Sequence, residues 1–133
     1  MKDAVLVLNC SVIADGIAVE CITRDRTLAQ AQVIFSSEKS QHLLAEIQAV
    51  CVAAQKTVQD LLGVAVIYGG ERFTVSRMGI VTANALAWSQ KIPICGFTAG
   101  TLPSTQQIVD AVIGTLPGVP LEPQYSKEPN ITL

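Results

Sequence analysis

The sequence predicts an α/β domain built on a mixed five-stranded sheet, and three observations support this prediction. Short apolar runs recur along the chain between turn residues, as in buried strands. The first three runs are joined by short turns, which is typical of an antiparallel meander. The later runs alternate with stretches of helical periodicity. The element order is therefore β-β-β-α-β-α-β-α, a meander followed by βα units with helices on the faces of the sheet.

The five predicted strands are rich in apolar and β-branched residues. They span residues 4–8, 17–23, 28–35, 62–68 and 92–97. The first, AVLVL, is continuously apolar, as in a strand buried on both faces. Asp15-Gly16 and Asp25-Arg26 are the turn signals that separate the first three strands.

Three segments have the apolar spacing of helices. The first spans residues 43–54, and Ser37 or Ser40 can cap it because a serine oxygen accepts from the free N–H groups of a first turn. The second helix is predicted over 76–89. The third begins at Pro103-Ser104 and continues to about Leu116.

Length and composition indicate one domain over residues 1–116 and a proline-rich C-terminal tail over 117–133. With 133 residues, half of them apolar, the chain can bury a core of its own. The sequence has no apolar run long enough to span a bilayer and no leader-like start. Its four cysteines form no CxxC motif, which favours reduced thiols. We therefore expect a cytoplasmic protein.

Charged residues are scarce in this chain. They make up 15% of the sequence, against about 25% in a typical domain. The net charge is -2 and no Lys/Arg cluster is present in the sequence, so direct nucleic-acid binding is not indicated. A surface this poor in charge is either rich in uncharged polar residues or partly covered by a partner.

The predicted order of elements is that of the ribonuclease H-like fold, which is also a lobe of the actin-like ATPases. Catalytic members carry a carboxylate on the first strand, because divalent cations prefer charged oxygen ligands. Here Asn9 stands at that place, and its amide supplies no charge. The sequence therefore predicts no catalytic residue, no metal site and no cofactor. A metal-dependent nuclease of this fold is the alternative.

Two glycine-containing features could bind a phosphate or allow a close packing contact. Gly69-Gly70 lies between a strand and a helix, but Glu71 would repel an anion, so we interpret the pair as a tight turn. Gly79, Ala83 and Ala87 form a ridge of small residues that would let either a partner helix or the chain's own sheet approach closely. A helical Gly costs about 1 kcal/mol relative to Ala, so this glycine needs a packing reason.

Five segments together resemble one protein family. They are Asn9-Cys10-Ser11, SQHLL at 40–44, GGERFTVSRMG at 69–79, ANALAWSQKIPICG at 83–96 and the tail from 123 to 132. The first three are similar to Asp-Thr-Ser, Ser-Glu-His-Leu-Leu and G-P-G-S-F-T-G-L-R-I-G of the TsaB (YeaZ) family. The chain departs from the family at Asn9, Glu71 and Val75, and the usual second lobe is missing or shrunk.

The resemblance implies a non-catalytic subunit of the complex that makes threonylcarbamoyladenosine (t6A) in tRNA. It implies binding to a TsaD-like catalytic subunit through the helices that begin near Ser40 and Ser76. A TsaE-like ATPase would be a further component, and tRNA would be contacted only through the complex. The expected contact residues are His42, Leu43, Ile47, Gly79, Ala83 and Leu86. Trp88 is a candidate anchor, Arg77 is expected to fix the loop before its helix, and a homodimer through the same helices is a third hypothesis.

Overall fold

The computed structural model describes residues 2–35, 43–69, 73–100 and 102–122. Its elements, in chain order, are β1 (Ala4–Asn9), β2 (Gly16–Ile22), β3 (Thr27–Ile34), α1 (Leu43–Ala53), a 3-10 helix (Val58–Asp60), β4 (Leu61–Tyr68), α2 (Phe73–Gln90), β5 (Ile94–Thr98) and α3 (Thr105–Ile113). The predicted order of strands and helices is confirmed, and the short 3-10 helix is an addition to it. Within the described ranges, no helix combines the length and apolar character needed to cross a lipid bilayer.

The five strands form one mixed sheet in the order β3-β2-β1-β4-β5. β2 pairs antiparallel with both β1 and β3, whereas β4 runs parallel to both β1 and β5. The predicted meander and mixed sheet are therefore confirmed. All six residues of β1 are buried, as its central position between an antiparallel and a parallel neighbour requires.

Successive residues of each strand point to opposite faces of the sheet, and each face has its own helical cover. On one face, Leu6 and Leu8 of β1 belong to the same core cluster as buried residues of α1 and α2. On the other face, Val5 and Val7 belong to a cluster with Val109 and other residues of α3. The sheet therefore separates a two-helix layer from a one-helix layer.

The ends of the helices differ in detail from the predictions. The side chain of Ser104 caps α3 by accepting from the Gln107 N–H at 3.1 Å, as predicted. This helix ends at Ile113, earlier than Leu116, because the chain leaves the helix at Gly114. α2 begins at Phe73, earlier than the predicted residue 76. The candidate caps Ser37 and Ser40 lie outside the described residues.

Residues 115–122, which we call the C-terminal strap, contain no helix or strand. Asn84 of α2 holds the strap through two hydrogen bonds of 2.8 Å, one to the Leu121 carbonyl and one from the Leu121 N–H. A Cβ added at Gly96 of β5 would lie 2.9 Å from Leu121 Cδ1, so the two residues pack closely. The strap is therefore fixed against both α2 and β5. Residues 123–133 of the predicted tail lie outside the described residues.

Candidate functional site

The tip of β1 is where the sequence predicts a neutral residue in place of a catalytic acid. Asn9 is 8% exposed there, and its Oδ1 accepts from the Ser11 N–H at 3.0 Å and from the Ser11 hydroxyl at 2.6 Å. The amide oxygen is thus used to hold the turn that follows the strand. Among the described residues, no group of three or more His, Cys, Asp or Glu side chains could hold a metal ion.

The neighbouring strand ends also satisfy their polar groups within the chain. The Gly69 N–H, at the end of β4, donates to the Ser76 hydroxyl at 3.3 Å. The Cys10 N–H donates to the Ile67 carbonyl, and the Ala99 N–H donates to the Tyr68 carbonyl, both at 2.8 Å. Gly69 has a φ of 118°, which a glycine adopts readily, and the rest of the tight turn predicted there lies outside the described residues.

The cysteine side chains have the character of core groups rather than of nucleophiles. Burial raises the pKa of the Cys10 thiol to about 12 and that of Cys95 to about 11. A thiol must ionise to attack a carbon or sulfur atom, so these two are poor nucleophiles at neutral pH. Cys21 of β2 and Cys51 of α1 are hydrogen-bonded to each other, which raises the pKa of Cys21 and lowers that of Cys51. All four cysteines are free thiols.

The structure buries four of the six residues that were expected to contact a partner. Leu43, Ile47 and Ala83 belong to the core of this chain, and Gly79 is buried with them. Leu86 is half-buried against the same core. Buried side chains cannot meet a partner while this fold persists, so any contact through these helices must come from their outer faces. His42 lies outside the described residues.

The packing around Gly79 explains the ridge of small residues along α2. A Cβ at this position would collide with Cys10 Sγ of the β1 tip and would approach Ile17 Cδ1 to 3.6 Å. Ala83 and Ala87, one and two turns later, are also buried in the core. Of the two interpretations of the ridge, the structure supports the close approach of α2 to the chain's own sheet.

The outer faces of α1 and α2 are almost free of charge. Glu46 and Arg77 are the charged residues of these helices, which have 11 and 18 residues. Large apolar side chains point outward instead, and they are Leu44 and Val52 of α1 with Met78, Val81 and Trp88 of α2. We call this surface the outer helix face. Periodicity did not single out most of its members, because both helices are apolar on the inner and the outer side.

Trp88 lies at the end of the outer helix face and is 82% exposed. An apolar groove of about 480 Å³ runs between this indole and the C-terminal strap at Pro117 and Gly118. An exposed tryptophan beside an apolar groove has the character of a binding hot spot, because aromatic anchors contribute most to interface energetics. The role of Trp88 as an anchor for a partner stays a prediction.

Comparison with known proteins identifies solved structures that share this fold. Neither the family models nor the curated proteins include a match to this sequence. Among solved structures, the chain is similar to YeaZ from Pseudomonas aeruginosa, with a TM-score of 0.60 and 20% identity over 72% of this chain and 44% of that one. It is also similar to a structure described as "an uncharacterized protein with similarity to peptidase YEAZ from Pseudomonas aeruginosa", with a TM-score of 0.61 and 20% identity over 72% of this chain and 43% of that one.

The chain spans less than half the length of these two structures. At 20% identity, the likeness concerns the fold. It coincides with the family that the segments at 9–11, 40–44 and 69–79 resemble. Over most of its length, the chain therefore has the fold of YeaZ, as the resemblance to the TsaB (YeaZ) family implied.

Proposed function

We propose that this chain is a TsaB-like subunit of the machinery that makes t6A in tRNA, and that it acts by binding the TsaD-like catalytic subunit. Two independent comparisons support the proposal. The sequence segments resemble the TsaB (YeaZ) family, and the fold matches YeaZ from Pseudomonas aeruginosa. Because the chain spans less than half of that structure, the activity of the whole relative is extended to it here as a proposal.

The observation that carries the proposal is the outer helix face. A surface helix normally has a charged side toward water, and a helix that is apolar all round is normally buried on all sides. α1 and α2 bury one side on the sheet, yet Val52 is 73% exposed and Val81 58% exposed on the opposite side. Exposed apolar side chains in this number on two helices are typical of a protein interface.

The proposed contribution is structural rather than chemical. At the tip of β1, Asn9 uses its oxygen for Ser11, and the thiols of Cys10 and Cys95 are poorly ionised at neutral pH. These features favour a subunit that positions or stabilises a catalytic partner. A TsaE-like ATPase would join the assembly through the partner.

The test is the affinity of the purified chain for the TsaD-like subunit, measured by isothermal titration calorimetry. We expect Val81→Asp and Val52→Asp each to weaken binding at least about 30-fold, because a desolvated charge in an interface costs about 2 kcal/mol or more. Leu102→Asp, in the loop before α3, is the matched control because Leu102 is 72% exposed and lies outside α1 and α2. It should bind as the wild type does.

All three substitutions concern exposed side chains, so each variant should keep its fold and its stability to within about 0.5 kcal/mol. Binding that is equal in all four proteins would overturn the proposed face. The function itself is tested by the t6A content of tRNA in cells that lack this chain. Wild type and Leu102→Asp should restore t6A, whereas Val81→Asp should not. Unchanged t6A in the cells that lack the chain would contradict the proposed function.

The same face would also allow two copies to pair when the catalytic subunit is absent. Its two charged residues, Glu46 and Arg77, have opposite signs, so facing copies would meet little like-charge repulsion. We therefore expect the isolated wild type to form a concentration-dependent homodimer in analytical ultracentrifugation, and Val81→Asp to stay monomeric. Addition of the TsaD-like subunit should dissociate the homodimer, because this subunit and the second copy would bind to the same face.

A further inference from the structure

A cleft of about 710 Å³ opens at the edge of the sheet where β1 and β4 begin. Its walls come from the start of β1, the turn between β2 and β3, the end of α1, and α3. We call it the basal cleft. It lies at the edge opposite to Asn9, whereas ligands of open α/β sheets usually bind at the carboxyl ends of the strands. The basal cleft is therefore separate from the tip of β1, and it does not depend on the proposed partner contact.

Two ion pairs link the walls of the basal cleft. Arg24 Nη2 lies 2.6 Å from Asp110 Oδ1, and the Thr105 hydroxyl donates to the Arg24 carbonyl at 2.9 Å, so the β2–β3 turn is tied to α3. Lys56 Nζ lies 2.7 Å from Asp3 Oδ1, which ties the end of α1 to the start of β1. A concave site that is already held open loses little entropy when a ligand enters.

The basal cleft gathers most of the positive charge in the described part of the chain. Of the six Lys and Arg residues there, four line the cleft, namely Lys2, Arg24, Arg26 and Lys56. The acidic residues that line it are Asp3 and Asp25. The ion pairs described above engage two of the four cations. Within the described ranges, Lys2 and Arg26 have no ion-pair partner.

These groups define the chemistry of a ligand. A guanidinium can donate two parallel hydrogen bonds to a phosphate, and an ammonium adds a second cationic donor. The cleft also has an aliphatic part, with Leu62, Val109 and Ile113 in its lining. None of the described lining residues is aromatic, so the cleft offers no ring on which a nucleobase could stack. The lining therefore favours contacts with the phosphate of a ligand over contacts with a nucleobase.

We propose that the basal cleft binds a phosphate group, with Arg26 and Lys2 as the residues that contact it. The phosphate can come from two sources that share this chemistry, namely a free nucleoside monophosphate or the backbone of an RNA. The sequence did not suggest this site, because its cations come from three segments that meet only in the fold. Along the chain, residues 2, 24, 26 and 56 form no basic run.

The experiment is an NMR titration of the isotope-labelled full chain with adenosine monophosphate and, separately, with a short RNA hairpin. We expect the amide signals around Arg26 and Lys2 to shift with at least one of the two. The double substitution Lys2→Ala with Arg26→Ala should weaken that binding at least about tenfold, because it removes charge-assisted hydrogen bonds. Lys91→Ala is the control, since this exposed cation does not line the cleft.

Each outcome decides the proposal. Binding of the monophosphate that the double substitution weakens supports a free ligand, and binding of the hairpin alone that it weakens supports an RNA source. If neither ligand shifts these signals up to about 10 mM, or if the double variant binds as tightly as Lys91→Ala, the proposal is overturned. The substituted side chains are exposed or at the rim, so the spectrum of each variant should otherwise match that of the wild type.

Discussion

At the scale of single residues, the contact between Gly79 and Cys10 decides how closely α2 approaches the sheet. The absent side chain of Gly79 leaves the space that the Cys10 thiol fills at the tip of β1. Helix propensity alone would favour alanine at position 79 by about 1 kcal/mol. Packing opposes this preference, because a buried methyl group in occupied space forces the helix away from the strand.

We therefore expect Gly79→Ala to lower the free energy of unfolding by about 1–3 kcal/mol, measured by urea denaturation. Cys10→Ala in the same chain should recover part of the loss, since it removes the sulfur that the new methyl group would meet. The coupling between the two substitutions should reach at least about 0.5 kcal/mol. A Gly79→Ala variant as stable as the wild type would show that α2 is not limited by this contact.

The Glu20 carboxyl of β2 should make the free energy of unfolding depend on pH. Burial raises the pKa of the Glu20 carboxyl above its ordinary value of 4.5. The contribution of the protonated Glu20 carboxyl to stability is fully present below its pKa in the unfolded chain. This contribution is lost as the pH rises through its pKa in the folded chain. At neutral pH, the buried carboxylate therefore destabilises the fold by a constant amount.

We expect Glu20→Gln to be more stable than the wild type at pH 7, and the difference to disappear when the pH falls below about 4.5. Urea unfolding at several pH values measures both. Glu122→Gln, at the exposed end of the strap, provides the reference for removal of one negative charge. A gain from Glu20→Gln that is the same at pH 4 and pH 7 would contradict the role of burial.

At the scale of elements, α1 and α2 end in the same unusual way. Gln55 has a φ of 61° and Lys91 a φ of 57°, both in the left-handed region that glycine favours. Beside them, the Lys56 N–H donates to the Cys51 carbonyl at 2.8 Å and the Ile92 N–H donates to the Ala87 carbonyl at 3.0 Å. These bonds close the last turn of each helix without the usual glycine.

Gln55→Gly should raise the free energy of unfolding by about 1 kcal/mol, because a left-handed conformation costs an L-residue about that much. Gln48→Gly, at an exposed position inside α1, is the matched control and should lower it by a similar amount. Thermal and urea unfolding measure both. If the two glycine variants lose stability equally, the strain at the end of α1 is absent.

The helix ends also show what sequence patterns predict and what they miss. Apolar runs placed all five strands, since burial between neighbours leaves a continuous signal such as AVLVL in β1. The start of α2 was harder to locate, because the residue before Phe73 is Arg72, which is not a typical N-cap residue. The 3-10 helix at Val58–Asp60 was missed because a single turn leaves no periodicity.

At the scale of the whole molecule, the two sides of the sheet form separate cores that share its strands. Val64 and Val66 of β4 belong to the core under α1 and α2, whereas Ala65 and Ile67 belong to the core under α3. Loss of the helical cover on one face would expose one side of strands that the core on the other face also needs. We therefore expect the two cores to depend on each other for their stability.

We expect the chain to unfold in one cooperative transition in urea. Far-UV circular dichroism and thiol labelling should give coincident curves, because Cys21 reports on the face under α1 and Cys95 on the face under α3. Serine variants that leave one of these two thiols allow each face to be followed alone. Labelling of Cys95 at a lower urea concentration than Cys21 would show that α3 detaches first.

The candidate sites were predicted to different extents. The neutral residue at the tip of β1 follows from Asn9 alone, whereas a partner contact through the first two helices is a proposal that rests on the resemblance. The apolar pattern could not separate buried from exposed positions, because α1 and α2 are apolar on both sides. Leu43 and Ala83, which were expected to contact a partner, are buried, whereas Val52 and Val81 are exposed.

The near absence of charge on the outer helix face should also affect the amount of the protein in a cell. A newly made copy that has not yet met a companion presents the sort of patch that chaperones and proteases select. Surplus copies would be cleared, so the amount of this chain would follow the supply of whatever covers α1 and α2. The purified protein should precipitate most readily near pH 5.2, because its net charge is zero there and charge repulsion no longer keeps two such patches apart.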